Sequence, residues 1–203
     1  VEVENGKPFY SVIYNKKTML GKSPLGLVTN EGDFTSAIKW LASSKGTTSS
    51  EYTMEKIKQS QVSYKANTLN VSFANAKEQE ISVVFQVSDN DIAFRYELPK
   101  WGDTRACVVE KELTGYNFPA GSTSFLSPMM QSMGGFARTA PSYESGYSAD
   151  AQLESNTSET GYVFPSLFKI GENGWVLLSE TGVSSLYNAS HLSSFKDGGY
   201  SVA

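Results

Sequence analysis

Two segments of apolar, β-branched sequence, each followed by a short polar turn and a second apolar run, constrain this chain most. Ile81-Ser82-Val83-Val84-Phe85-Gln86-Val87 leads into Ser88-Asp89-Asn90-Asp91, and Ile92-Ala93-Phe94-Arg95-Tyr96 comes next. Ser, Asp and Asn hydrogen-bond to their own backbone and tolerate turn geometry, so this order predicts an antiparallel hairpin. Tyr162 to Ile170, the turn Gly171-Glu172-Asn173-Gly174, and Trp175-Val176-Leu177-Leu178 predict a second hairpin. Helical spacing occurs once, at Phe34, Ala37, Ile38 and Leu41 after a possible Asp33 cap. It stops at Ser43-Ser44-Lys45-Gly46, so a short helical turn stays open there.

Other strand signals fill most of the chain. Phe9 to Tyr14 is a β-type run closed by Asn15-Lys16-Lys17, and Leu69 to Phe73 alternates apolar and polar residues as a half-buried strand does. Thr104 to Val109 and Glu112 to Phe118 are further candidates, the second ended by Pro119-Ala120-Gly121. Ser122 to Thr160, rich in Ser, Gly, Met and Tyr, predicts long loops around short strands. The aromatic fraction of 12% suits pleated sheets. The expectation is an all-β fold: one antiparallel sandwich domain over residues 1–203, with at least about eight strands and at most short helical turns.

Composition excludes several classes of function. The net charge is −4 and no run of Lys or Arg occurs. Nucleic acid binding through phosphate neutralisation therefore has no basic stripe to use. No segment approaches the roughly 18–20 apolar residues of a membrane-spanning helix. One cysteine, Cys107, precludes an internal disulfide framework. It stands in the apolar run Ala106-Cys107-Val108-Val109, which predicts a buried, inert thiol. One histidine, His191, precludes multi-histidine zinc chemistry, and its Ser- and Asn-rich setting predicts a surface or turn position. The chain opens on Val1-Glu2-Val3-Glu4 with no signal peptide, and its low charge and abundant Ser, Thr, Asn and Tyr suggest an already processed bacterial export product, periplasmic or secreted.

Any chemistry must then come from carboxylates or from residues outside this chain. Glu110 and Glu112 lie two apart and would share one face of a strand, an arrangement also ordinary for solvated glutamates. Glu180 lies just after the apolar strand Trp175–Leu178 and precedes Thr181-Gly182, so it projects near a strand end where loops gather. By itself that position also fits a solvated turn residue. Sequons begin at Asn70, Asn156 and Asn188, as expected by chance in a chain rich in Asn and Ser.

The order of motifs resembles the N-terminal domain of glycoside hydrolase family 97. Ser23-Pro24-Leu25-Gly26-Leu27 is similar to an early segment of that family, and Phe85 to Tyr96, ending Ala93-Phe94-Arg95-Tyr96, resembles its central hairpin. Glu112-Leu113-Thr114-Gly115-Tyr116-Asn117-Phe118-Pro119 resembles a later strand. Phe164-Pro165-Ser166 and Val176-Leu177-Leu178-Ser179-Glu180-Thr181 resemble the family's late hairpin, and Tyr187-Asn188-Ala189-Ser190-His191-Leu192 resembles the segment after that hairpin. The family usually carries Gly where Asn90-Asp91 stands, a difference of turn type. The resemblance implies a β-super-sandwich that packs on a catalytic (β/α)8 barrel hydrolysing α-linked glucosides or α-galactosides of an oligosaccharide. It also implies a calcium ion at the active site, ligated in part by one glutamate of the N-terminal domain, a position matched best by Glu180. Tyr200-Ser201-Val202-Ala203 would fall just before the barrel, so the expected chain is a piece without its own catalytic residues. One alternative is a carbohydrate-binding module stacking sugars on Tyr143, Tyr147, Tyr162 or Trp101. Another is a structural or adhesive sandwich.

Overall fold

The computed structural model describes residues 1–56, 58, 60–103, 105–130, 146–185 and 189–203. Among them, the regular structure is fifteen strands and one 3-10 turn at Leu153–Ser155. Packing gathers these elements into two compact units, Val1–Val28 with Val109–Ala203, and Thr29–Val108.

The first unit opens with an antiparallel meander of β1 (Glu2–Glu4), β2 (Lys7–Tyr14) and β3 (Lys17–Pro24). Its two hairpins close through the pairs Asn5-Gly6 and Asn15-Lys16, all four residues at positive φ. Two consecutive left-handed residues match the right-handed twist of the flanking strands, which is why such turns start with Asn. β4 (Leu27–Thr29) pairs with β9 (Val109–Glu112), and β10 (Gly115–Asn117) pairs with β15 (Gly199–Ser201). A four-stranded antiparallel sheet runs in the order β12 (Ser148–Gln152), β11 (Thr123–Leu126), β13 (Ser166–Lys169), β14 (Trp175–Leu178). Its inner face supplies Leu126 and Phe168, and Phe168 stacks on Phe118 with centroids 4.0 Å apart while also touching Tyr200.

The second unit is one sheet of four strands in chain order: β5 (Lys39–Thr53), β6 (Gln61–Ala74), β7 (Glu80–Val87) and β8 (Ile92–Glu97). Alternation places Val71 and Phe73 of β6 on the same face as Ile81, Val83 and Phe85 of β7, and all five are buried. The expected turn is present, with the Ser88 N–H donating to the Asp91 carbonyl and the Ser88 hydroxyl accepting from the Asp91 N–H. Phe34 and Ile38 are buried in this unit.

Several expectations fail, each for a local reason. The helical turn left open over Phe34–Leu41 does not form: Asp33 does accept from the Thr35 N–H, but Ala37 turns left-handed at φ 53° and β5 begins at Lys39. Of the strand predicted over Thr104 to Val109, Thr104 lies outside the described residues and regular pairing starts only at Val109. The segment before it is tied to Asn30 through Val108, whose N–H donates to the Asn30 side chain. Cys107 is consequently exposed rather than buried, with Val108 and Val109 exposed beside it. The strand predicted over Glu112 to Phe118 is broken at Leu113-Thr114, because Leu113 donates to Gly26 and Thr114 accepts from Val202. His191, expected at the surface or in a turn, is half-buried and exchanges two backbone hydrogen bonds with Ala203.

Candidate functional site

Glu180 lies two residues beyond β14 and is half-buried. Its Oε1 accepts a hydrogen bond from the backbone N–H of Ser190 at 2.7 Å. Ser190 is itself fixed by its neighbours. His191 and Ala203 exchange two backbone hydrogen bonds (3.2 and 2.9 Å), and Leu192 and Tyr162 exchange two more (2.8 and 2.7 Å). Gly161, at φ +77°, makes this approach possible, since a Cβ there would collide with the Leu192 carbonyl.

The last residues carry the connection onward. The Val202 N–H donates to the Thr114 carbonyl at 2.9 Å, and Gly115 and Tyr116 of β10 pair with Ser201 and Tyr200 of β15. Glu112, at the end of β9, hydrogen-bonds to the Thr114 side chain. Glu112 and Tyr116 thus lie within electrostatic reach of Glu180, which comes from a segment far along the chain.

The Glu112 carboxyl is pushed above the usual carboxylate range, first by burial and then by the negative charge of Glu180, with the Thr114 hydrogen bond opposing. Burial, then Glu112, then Glu180 push the Tyr116 phenol well above its ordinary value. The carboxylate neighbours are therefore Glu112 and Glu180, and Glu110, considered with Glu112 from sequence spacing, is exposed. The relation between Glu112 and Glu180 carried no sequence signal, because it depends on how the chain's end closes over β10.

Such a corner offers hard oxygen donors, a phenol and a buried acid, Glu112, whose ionised form the charge of Glu180 disfavours. It offers too few donors to complete a metal site. Among the described residues, no cluster of three or more His, Cys, Asp or Glu could hold an ion. Calcium takes about 6–8 oxygen ligands.

Of the four aromatic residues considered as sugar platforms, two are engaged in packing. Tyr162 is buried, and Trp101 stacks on Phe34 (5.2 Å) while its indole N–H donates to the Glu80 carbonyl. Tyr147 is exposed, and Tyr143 lies outside the described residues. Of the sequons, Asn156 is buried with its amide committed to Ser124 and Tyr200, Asn70 lies within β6, and Asn188 lies outside the described residues. No helix among the described residues is long and apolar enough to cross a membrane.

Comparisons with known proteins agree with this architecture. A β-arabinopyranosidase crystal structure superposes with a TM-score of 0.93 at 48% identity, covering 100% of this chain and 33% of that one. A Glycoside Hydrolase Family 97 enzyme from Pseudoalteromonas sp. strain K8, in complex with panose, superposes with a TM-score of 0.81 at 22% identity over 98% of this chain and 29% of its own. The same description applies to a Family 97 enzyme of that strain in complex with acarbose, at a TM-score of 0.80 and 21% identity, again over 98% and 29%. The chain thus spans about a third of the length of the solved structures it matches. No curated protein matches it. The family model for the glycosyl-hydrolase 97 N-terminal region matches residues 1–203, and this chain therefore belongs to glycoside hydrolase family 97 as its N-terminal β-sandwich domain.

Proposed function

We propose that this domain completes the active site of a calcium-dependent glycoside hydrolase whose catalytic acid and base lie in a (β/α)8 barrel of the same polypeptide. Glu180 is the contributed ligand. The observation that carries this reading is the state of its carboxylate, with one oxygen anchored by a backbone N–H and a second acid close by. The residues fit a hard cation: Glu180 supplies oxygen, and positive charge would offset the repulsion between Glu112 and Glu180. Bound calcium would stabilise negative charge developing at the reacting sugar oxygens. Glu180 would help fix where that charge sits.

The substrate is an exposed sugar of an α-linked galactoside or glucoside, or of the corresponding arabinoside. The β-arabinopyranosidase at 48% identity favours the galacto arrangement. An L-arabinopyranose ring is a D-galactopyranose lacking its exocyclic CH2OH, and the β-anomer of the first corresponds in space to the α-anomer of the second. Panose and acarbose in the more distant structures keep α-glucosides as the second class. Extracellular or periplasmic location is in keeping with the composition and with a polymeric or oligomeric substrate.

The test uses the complete polypeptide that carries this domain. p-Nitrophenyl β-L-arabinopyranoside, α-galactoside and α-glucoside are hydrolysed with calcium and with chelator, by wild type and Glu180→Gln. The expected result is calcium-dependent turnover, fastest on the first two substrates, with a raised calcium requirement in Glu180→Gln. Equal calcium dependence in the two proteins would remove Glu180 from the site.

A further inference from the structure

The Glu180 carboxylate is fixed by the fold itself, without a ligand. Its Oε1 takes the Ser190 N–H at 2.7 Å, and no hydrogen bond to Oε2 is formed among the described residues. The donor is held through the two residues that follow it, which pair in opposite directions. Leu192 is completely buried and paired twice with Tyr162, and His191 is paired twice with Ala203. Val202 continues the chain of bonds into Thr114, the hydroxyl partner of Glu112. One hydrogen-bonded strip thus holds both carboxyl groups of the corner.

We propose that the Ser190 N–H is a positioning group, which orients Glu180 before any cation arrives and directs Oε2 outward as the oxygen that takes it. This rests on the reading of Glu180 as a calcium ligand. A carboxylate left free to rotate must be ordered when the ion binds, and an anchored one is ordered already. Groups that orient a metal ligand typically alter metal affinity about ten- to a hundredfold when removed. The Ser190 hydroxyl has no part in this, since the bond uses the backbone.

Proline at position 190 removes the N–H and so deletes the hydrogen bond to Glu180. Calcium affinity of the complete polypeptide is measured by isothermal titration calorimetry for wild type, Ser190→Ala, Ser190→Pro and Glu180→Gln. The expectation is about a tenfold or greater loss in Ser190→Pro and less than about a twofold change in Ser190→Ala. If Glu180→Gln weakens calcium binding and a folded Ser190→Pro does not, the positioning role is wrong and the ligand assignment stands. If Glu180→Gln has no effect, both fall. Should Ser190→Pro not fold, backbone exchange decides the question. The Ser190 amide should be protected in chelator in wild type and lose that protection in Glu180→Ala. Free exchange in the wild type, or protection unchanged in Glu180→Ala, overturns the proposal.

Discussion

Asn156 offers the sharpest test of how the first unit is held together. Its side chain is 3% exposed, and its Nδ2 donates to Ser124 Oγ at 2.7 Å and to the Tyr200 hydroxyl at 2.6 Å. Its backbone carbonyl accepts from Phe195, so the residue stitches β11, the 3-10 turn and β15 together. Asn156→Ala removes both side-chain bonds, each worth about 0.5–1.5 kcal/mol net. It also leaves a small void, worth about 1 kcal/mol more. The two hydroxyls keep their own acceptors, Ser124 at the Ala151 carbonyl and Tyr200 at the Leu153 carbonyl, which limits the desolvation penalty. The expected loss is about 2–4 kcal/mol, large against the ~5–15 kcal/mol by which domains are usually stable. Tyr200→Phe should cost about 1–2 kcal/mol, because it strands one amide hydrogen. The double variant should fall short of the sum by about 1 kcal/mol, the coupling expected of groups in contact. Urea unfolding followed by circular dichroism, with slopes compared so that the two units are not confused, measures all four proteins. A single Asn156→Ala loss below about 0.5 kcal/mol, or strict additivity in the cycle, would refute the hydrogen-bonded network.

Two further outcomes concern ionisable groups at the same end of the fold. The Glu112 carboxyl is raised in the folded state, so its contribution is largest below the unfolded value near pH 4 and is lost as pH rises through the folded value. Glu112→Gln should therefore stabilise the metal-free domain at pH 7 and leave it unchanged at pH 4; destabilisation at pH 7 would contradict the burial-and-repulsion account. The Tyr116 and Tyr200 phenols are both raised, chiefly by burial, so the stability they protect is intact below about pH 10 and declines above it by up to about 1.4 kcal/mol per pH unit for each. Alkaline melting curves should flatten in Tyr116→Phe, and an unchanged slope would show that the phenol ionises as freely folded as unfolded.

The strands that the sequence disclosed are those specified by their own neighbours. The Ile81–Val87 and Ile92–Tyr96 hairpin carries alternation, β-branching and a Ser-Asp turn in one continuous stretch, and the structure builds it in that register. Trp175–Leu178 and its Gly171–Gly174 turn behave likewise. Local signals failed where a distant partner decides. Phe34 and Ile38 have helical spacing, yet they are apolar because they are buried in the second unit, with Phe34 stacked on Trp101. The Cys107 run looks like a core strand and is exposed, because its neighbour Val108 is tied to Asn30 instead of entering a sheet. For the candidate site, the position of Glu180 after an apolar strand was legible, and the family resemblance suggested a role for it. What held it was not legible. Spacing paired Glu112 with Glu110, whereas closure of Val202 and Ala203 over Thr114 and His191 pairs it with Glu180.

That closure ties the core network to the corner. Tyr200 sits in β15 between the buried Asn156 amide on one side and the Val202–Ala203 pairings on the other. Its ring also contacts Phe118, Phe168, Tyr162 and Phe195. The strand is only three residues long, and it pairs with a partner of equal length, so backbone bonds alone give it little hold. The Tyr200 ring and hydroxyl supply the rest. Further along the chain, Ala203 fixes His191, and the Ser190 N–H beside it fixes Glu180. A loosened Tyr200 would therefore release the Glu180 carboxylate without touching it. By this reasoning a buried hydroxyl and amide serve the site as much as they serve the core, since the orientation of a single surface carboxylate depends on a strand that they anchor.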